Sequence, residues 1–151
     1  MEEPFEDLIG TLEHVGITVK DLDKALKFYS EILEFPVLSR KENPELKVAY
    51  AQIQIGQSKV EIFSPLEGKP SRPRPAECGM EGVGARIRET TGLNHLSINV
   101  DNIDAVFEKL KNKGVLFILE PKLMGTGSKI AFFTDPDGTL IELIQRQTKT
   151  S

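Results

Sequence analysis

The segment His14-Val-Gly-Ile-Thr-Val-Lys-Asp-Leu-Asp recurs 81 residues later in the chain as His95-Leu-Ser-Ile-Asn-Val-Asp-Asn-Ile-Asp. The segments Lys59-Val-Glu-Ile-Phe and Leu140-Ile-Glu-Leu-Ile are separated by the same 81 residues. Each copy therefore carries one histidine and, 47 residues after it, one glutamate. Because two copies at one fixed offset indicate a duplicated structural unit, this repeat decides the fold prediction.

Each copy predicts the element order βαβββ. In the first copy, apolar and polar residues alternate over residues 11–19, as in a half-buried strand, and Asp21 is a typical N-cap for a helix over 22–33. Three further strands are predicted at 37–40, 47–55 and 58–63. The second copy repeats this order, with a helix over 103–113 closed by Gly114 and strands at 93–100, 115–119, 129–134 and 139–145.

The length and the repeat together predict one α+β domain, 1–151, rather than two independent units. Its two paired βαβββ modules lie at about 11–64 and 92–146 and are joined by a linker at about 65–91. The linker is rich in Pro, Gly and Arg, and a short helix is predicted over 83–89. Gly56-Gln57 and Asp135-Pro-Asp-Gly are predicted to be the corresponding hairpin turns.

Composition and charge exclude several classes of partner. The net charge of -4 offers no basic footprint for nucleic acid. No apolar run approaches the roughly 18 residues that a membrane span needs. The acidic first residues do not resemble a secretory signal, and the single cysteine, Cys78, cannot form an internal disulfide, so a cytoplasmic location is expected.

The histidines and glutamates of the repeat are candidate metal ligands. Strand alternation places His14 on the face opposite Val15, and Glu61 on the face opposite Val60 and Ile62. A carboxylate inside an apolar strand is costly unless it is paired or binds a cation. One such residue is usually structural or solvated, but the shared offset favours a divalent metal site, with ligands His14, Glu61, His95 and Glu142. Two imidazoles and two carboxylates suit Zn, Ni, Co, Mn or Fe(II) and leave positions for water or substrate.

Four motifs resemble those of the vicinal oxygen chelate superfamily, which includes glyoxalase I, methylmalonyl-CoA epimerase, extradiol dioxygenases and drug-resistance proteins. They are Leu12-Glu-His-Val, Lys59-Val-Glu-Ile, Leu93-Asn-His-Leu and Asp135-Pro-Asp-Gly-Thr-Leu-Ile-Glu-Leu. The resemblance spans roughly residues 11–146. It implies a curved, partly open mixed β-sheet barrel, a homodimer, and a metal that chelates two substrate oxygens at the four predicted ligands.

The chemistry implied by the resemblance is polarisation of a carbonyl and removal of the proton from the adjacent carbon by a carboxylate. Glu142 is the candidate base, and Glu61 is the second candidate. The implied substrate is a small molecule, either an acyl-CoA or a thiol adduct of an α-oxoaldehyde.

Among the subfamilies, methylmalonyl-CoA epimerase is slightly favoured. Val60-Glu-Ile-Phe-Ser-Pro-Leu-Glu-Gly, Glu120-Pro-Lys-Leu and Gly125-Thr-Gly-Ser are similar to it, although Tyr50 stands where some epimerases carry a second acid. Glyoxalase I (lactoylglutathione lyase) is the alternative, with Thr18 in place of an arginine of that subfamily. An Fe(II) dioxygenase and a non-catalytic small-molecule binding protein remain further alternatives. A basic rim for coenzyme A phosphates is predicted from Lys69, Arg72, Arg74, Arg86 and Arg88.

Overall fold

The chain folds into two four-stranded mixed sheets, in a computed structural model that describes residues 4, 10–71, 77–89 and 93–147. Each sheet combines one parallel pair of strands with two antiparallel pairs, and neither sheet closes on itself. The predicted α+β class with two paired βαβββ modules is confirmed. Among the helices of the described residues, none has the length and hydropathy needed to cross a membrane.

The first module contains one helix and four strands. Helix α1 is α-helical over Leu22–Leu26 and continues as a π-helix over Lys27–Ile32. The strands are β1 Val15–Thr18, β2 Val37–Asn43, β3 Val48–Ile55 and β4 Ser58–Pro65, in the spatial order β1-β4-β3-β2. Asp21 caps α1 as predicted, because its side chain accepts a hydrogen bond from the backbone N–H of Lys24.

The second module repeats this arrangement after the intervening helix α2, Gly79–Glu89. Helix α3, Ile103–Asn112, is capped by Asn102 and followed by Gly114, whose φ of 89° suits glycine at a helix C-terminus. The strands are β5 His95–Asn99, β6 Phe117–Leu123, β7 Lys129–Thr134 and β8 Leu140–Gln145, in the spatial order β5-β8-β7-β6.

The main hydrophobic core is shared by the two modules. One face of each sheet and both module helices contribute to it, so Phe28 and Tyr29 of α1 lie in one cluster with Phe133 of β7. A smaller apolar cluster lies on the other face of the second sheet, where Val83 of α2 packs with Ile130, Phe132, Leu140 and Ile144. The second sheet is therefore buried on both faces, which explains why β8 is apolar almost throughout.

Of the predicted boundaries, those of β1, β6 and α2 differ most from the structure. Strand β1 begins only at Val15, so His14 precedes the strand that was predicted to contain it. Strand β6 runs from Phe117 to Leu123 through Pro121, which an edge strand tolerates because a residue there need not donate to a neighbour. Helix α2 begins at Gly79 rather than at residue 83, since burial of Val83 outweighs the low helix propensity of three glycines.

Candidate metal centre

The first histidine–glutamate pair is assembled by the parallel pairing of β1 with β4. Gly16 lies directly opposite Glu61 in this pairing, and His14, two residues earlier, lies diagonally across from the same carboxylate. Nε2 of His14 is 3.0 Å from Oε2 of Glu61, whose side chain is 17% exposed. A contact between the other ring nitrogen and Glu13 raises the pKa of His14, and the charge of Glu61 adds to this. The electrostatics favour a cation at this point.

The second pair has the same construction. Ser97 lies opposite Glu142 in the parallel pairing of β5 with β8, and His95 lies two residues earlier. Nε2 of His95 is 3.3 Å from Oε2 of Glu142, which is 13% exposed. The other ring nitrogen of His95 contacts the side-chain oxygen of Asn94. The duplicated sequence therefore produces two equivalent pairs, in each of which an imidazole nitrogen contacts a carboxylate oxygen.

The spacing within each pair suits two neighbouring ligands of one metal ion. Metal–ligand bonds of about 2.1 Å place adjacent ligand atoms about 3.0 Å apart in octahedral and about 3.4 Å apart in tetrahedral coordination. The nitrogen-to-oxygen distances of 3.0 and 3.3 Å lie within this interval. Imidazole with carboxylate is also a donor set that divalent transition metals accept. Each pair therefore fits half of a four-ligand site.

The two pairs do not meet within one chain. Among residues 10–71, 77–89 and 93–147, no three His, Cys, Asp or Glu side chains lie close enough together to bind one metal ion. The structure thus brings His14 to Glu61 and His95 to Glu142, and it leaves the two halves of the predicted ligand set apart. Both histidines nevertheless line one cavity of about 860 Å³ between the modules, whose walls include Leu33, Phe35 and Ile98.

The neighbours of the two glutamates differ. On β3, Gln52 lies directly opposite Glu61, and its Nε2 donates to Oε1 of Glu61 at 3.4 Å. On β7, Phe132 lies opposite Glu142, and its ring packs edge-on against His95 at 5.8 Å. The repeat does not predict Gln52. The sequence nevertheless allows this pairing to be found, because a two-residue turn at Gly56-Gln57 fixes the register of β3 on β4 and places Gln52 opposite Glu61.

Of the five residues of the predicted basic rim, the structure describes Lys69, Arg86 and Arg88, and the phosphate-binding role stays a prediction. Arg72 and Arg74 lie outside the described residues. Arg86 donates to the carbonyl oxygen of Gly138 at 3.1 Å, and Arg88 pairs with Glu81 at 2.7 Å. These two arginines therefore already have protein partners.

The Asp135-Pro-Asp-Gly turn joins the modules as well as reversing the chain. Asp135 is 3% exposed and accepts a hydrogen bond of 2.8 Å from the hydroxyl group of Tyr29 on α1. Its second carboxylate oxygen accepts from the backbone N–H groups of Asp137 and Thr139. Asp137 in turn accepts from the backbone N–H of Lys20. The turn thus holds the start of β8, and with it Glu142, against the first module.

Comparisons with known proteins agree with this architecture. Residues 11–143 match the family described as Glyoxalase/Bleomycin resistance protein/Dioxygenase superfamily. The chain is 33% identical over 140 residues to the mitochondrial methylmalonyl-CoA epimerase of Homo sapiens, covering 91% of this chain and 74% of that protein. It is 32% identical over 139 residues to a probable lactoylglutathione lyase of Synechocystis sp., covering 91% and 97%. A glyoxalase family protein from Enterococcus faecalis superposes with a TM-score of 0.72 at 29% identity, covering 91% and 98%.

Proposed function

Because the chain belongs to the Glyoxalase/Bleomycin resistance protein/Dioxygenase superfamily, we propose that it is a divalent-metal-dependent isomerase or lyase. An epimerase of methylmalonyl-CoA type is favoured. The observation that carries the proposal is the pair of equivalent histidine–glutamate contacts, 3.0 and 3.3 Å long, at positions related by the repeat. The relatives from Homo sapiens and Synechocystis sp. carry the names of enzymes, at 33% and 32% identity.

The proposed ligands are His14, Glu61, His95 and Glu142, and we propose that each metal ion takes two of them from each of two chains. A two-fold symmetric dimer would place the first pair of one chain against the second pair of its partner, and it would create two identical sites. Exposed apolar residues at corresponding positions support such an interface. Leu12 and Leu93, each two residues before a histidine, are 84% and 86% exposed.

The proposed chemistry is removal of the proton on the carbon next to a carbonyl. A bound divalent metal would supply Lewis-acid polarisation of that carbonyl. Glu142 is the proposed base, with Glu61 as the second candidate. Glu142 is well shielded from water, and the side chain of Phe132 opposite it has no hydrogen-bond donor that would compete for its oxygens. A proton taken by Glu142 would be held at its carboxylate and returned to the carbon.

A mixing experiment tests the shared site. We expect purified wild-type protein to bind about one Co(II) ion per chain, and His14→Ala and His95→Ala each to lose that ion. Refolding the two variants together in equal amounts should restore about a quarter of the wild-type metal content, since half of the dimers are mixed and each has one intact site. No recovery would contradict a shared site. A wild-type protein that binds no metal would contradict the proposed function.

Substrate assays separate the candidate activities. The epimerase should exchange the α-proton of methylmalonyl-CoA in heavy water in a metal-dependent reaction. Conversion of the methylglyoxal–glutathione hemithioacetal would instead identify a lactoylglutathione lyase, which the relative from Synechocystis sp. makes the second candidate. Fe(II)-dependent oxygen uptake would indicate a dioxygenase, and tight ligand binding without metal would indicate a binding protein.

We further propose that residues 1–151 form one domain, which the shared core supports, and that the protein is cytoplasmic. The exposed free thiol of Cys78 supports a reducing compartment. The human relative is named as mitochondrial, so mitochondria are the alternative location. Fractionation of the cells that make the protein would distinguish the two.

A further inference from the structure

The two carboxylates of the proposed site are held differently, although the repeat makes them equivalent. Glu61 has a partner for each oxygen: Oε2 faces Nε2 of His14 at 3.0 Å, and Oε1 accepts from the amide of Gln52 at 3.4 Å. Gln52 reaches Glu61 because the register of β3 on β4 places the two residues directly opposite each other. In the second module this position belongs to Phe132, a ring without a hydrogen-bond donor.

A donor on one carboxylate oxygen determines where the other oxygen points. With Oε1 held by Gln52, rotation of the Glu61 carboxylate would break that hydrogen bond, so Oε2 stays beside Nε2 of His14. Groups that hold a metal ligand in this way contribute to affinity without touching the metal. Glu142 lacks such a donor at the position opposite it, so its carboxylate can turn with less loss.

We propose that Gln52 is a positioning residue of the metal centre, and that it keeps Glu61 fixed as a metal ligand. This inference rests on the proposed function. It makes Glu61 more firmly held than Glu142, which the symmetry of the sequence alone would not predict.

The test compares Gln52→Met with Gln54→Met. Both variants replace an amide by a side chain of similar length without a donor. Gln54 lies on the same strand and face but donates to the carbonyl oxygen of Gly56 at 2.9 Å. We expect Gln52→Met to bind Co(II) about 10–100-fold more weakly than wild type, with an altered visible spectrum of the bound ion. Gln54→Met should retain the affinity and the spectrum, and the melting temperatures of the two metal-free variants should be similar.

The outcomes separate this inference from the function on which it rests. If wild type binds Co(II), His14→Ala loses it, and Gln52→Met shows the wild-type affinity and spectrum, the positioning role is wrong while the proposed function stands. An equal loss of affinity in Gln54→Met also overturns it, because the effect would then not be specific to Gln52. If wild type binds no Co(II) and has no metal-dependent activity, both fail together.

Discussion

Tyr29 and Asp135 form a buried hydrogen bond between the two modules. Tyr29 is fully buried, Asp135 is 3% exposed, and the hydroxyl group lies 2.8 Å from Oδ2 of the carboxylate. A buried hydrogen bond of this kind contributes little net stability, but removal of one partner leaves the other without compensation. The contact therefore affects stability mainly because its loss would leave a buried polar group without a hydrogen-bond partner.

We predict that Tyr29→Phe lowers the free energy of unfolding by about 1–3 kcal/mol, because Oδ2 of Asp135 would lose its donor in a buried position. Urea unfolding followed by circular dichroism would measure this. Lys24→Ala on the same helix is the control, since it removes an exposed side chain and should change stability by less than about 0.5 kcal/mol. Equal stabilities of wild type and Tyr29→Phe would contradict the prediction.

Asp135 should make the protein less stable as the pH rises. Burial raises the pKa of Asp135 above its ordinary value of 3.8, and hydrogen bonds from Thr139, Tyr29 and Asp137 oppose the shift only in part. Between 3.8 and the raised value, the native protein binds more protons at this residue than the unfolded chain does. The contribution of Asp135 to stability is therefore present at the acid end of this window and declines as the pH rises through it.

The corresponding prediction concerns Asp135→Asn, whose amide does not titrate. Relative to wild type, this variant should gain stability as the pH is raised through the window above 3.8, since only wild type incurs the cost of a buried charge there. Urea unfolding at a series of pH values would measure the difference. Parallel stability curves for the two proteins would contradict it.

At the residue scale, the sequence predicts the candidate metal ligands better than it predicts the residues that hold the surrounding structure in place. His14, Glu61, His95 and Glu142 follow from the fixed offset, and the structure places each histidine beside its glutamate. The role of Tyr29 could not be predicted, since the repeat places Leu110 at the corresponding position. Its partner, Asp135, belongs to a typical turn sequence, so the sequence gives no reason to expect a further contact.

Helix α2, which packs on the second sheet, is the element that the sequence predicts least well. Its glycines disfavour a helix, and among residues 79–88 only Gly82 and Val83 are buried, which gives no amphipathic stripe. The other elements were predictable because their apolar periodicity and their caps agree. The extension of β6 through Pro121 was not, since pairing at a sheet edge depends on the neighbouring strand rather than on local propensity.

Loss of the packing of α2 should weaken the second module. We predict that Val83→Ala lowers the free energy of unfolding by about 1–3 kcal/mol, because a side chain that is 3% exposed leaves a cavity against the apolar cluster of the second sheet. Ile87→Ala on the same helix is the matched control. Ile87 is 37% exposed, so its truncation should cost less than that of Val83. Guanidinium unfolding would rank the two, and a larger loss in Ile87→Ala would contradict the assignment of Val83 to the core.

At the scale of the whole molecule, the two modules stabilise each other. Phe28 of the first module packs against Phe133 of the second, with ring centroids 6.3 Å apart, and Lys113 of the second donates to the carbonyl oxygen of Ile32 in the first at 2.9 Å. A single module would expose its half of this core to water. Small units that cannot bury enough apolar surface are at best marginally stable.

We predict that a fragment of residues 77–147 does not fold cooperatively alone, although it contains every element of the second sheet. Thermal melting followed by circular dichroism should show no sharp transition for the fragment and a cooperative one for the whole chain. A sharp, reversible melt of the fragment would show that the modules are independent domains, contrary to the one-domain proposal.

The symmetry of the repeat is broken where the modules meet. A five-residue connection, residues 135–139, links β7 to β8 and receives Tyr29, whereas only Gly56 and Gln57 link β3 to β4. Near this shorter turn, Leu110 lines the cavity between the modules. The sequence predicts two equal copies. It does not predict how the two copies pack together. Tyr29 and Leu110 occupy equivalent positions in the repeat, and only Tyr29 makes the hydrogen bond to Asp135.

The parallel pairing of β1 with β4, and of β5 with β8, would determine when a newly made chain could bind the proposed metal ion. In each pair the imidazole and the carboxylate stand 47 positions apart, and only a finished sheet brings them together. A nascent or misfolded polypeptide would therefore not hold the proposed ligands together, unlike a zinc finger, whose ligands are close in sequence. Metal binding would then indicate that folding is complete. Metal ions in the cell would rarely stabilise a misfolded form of the chain.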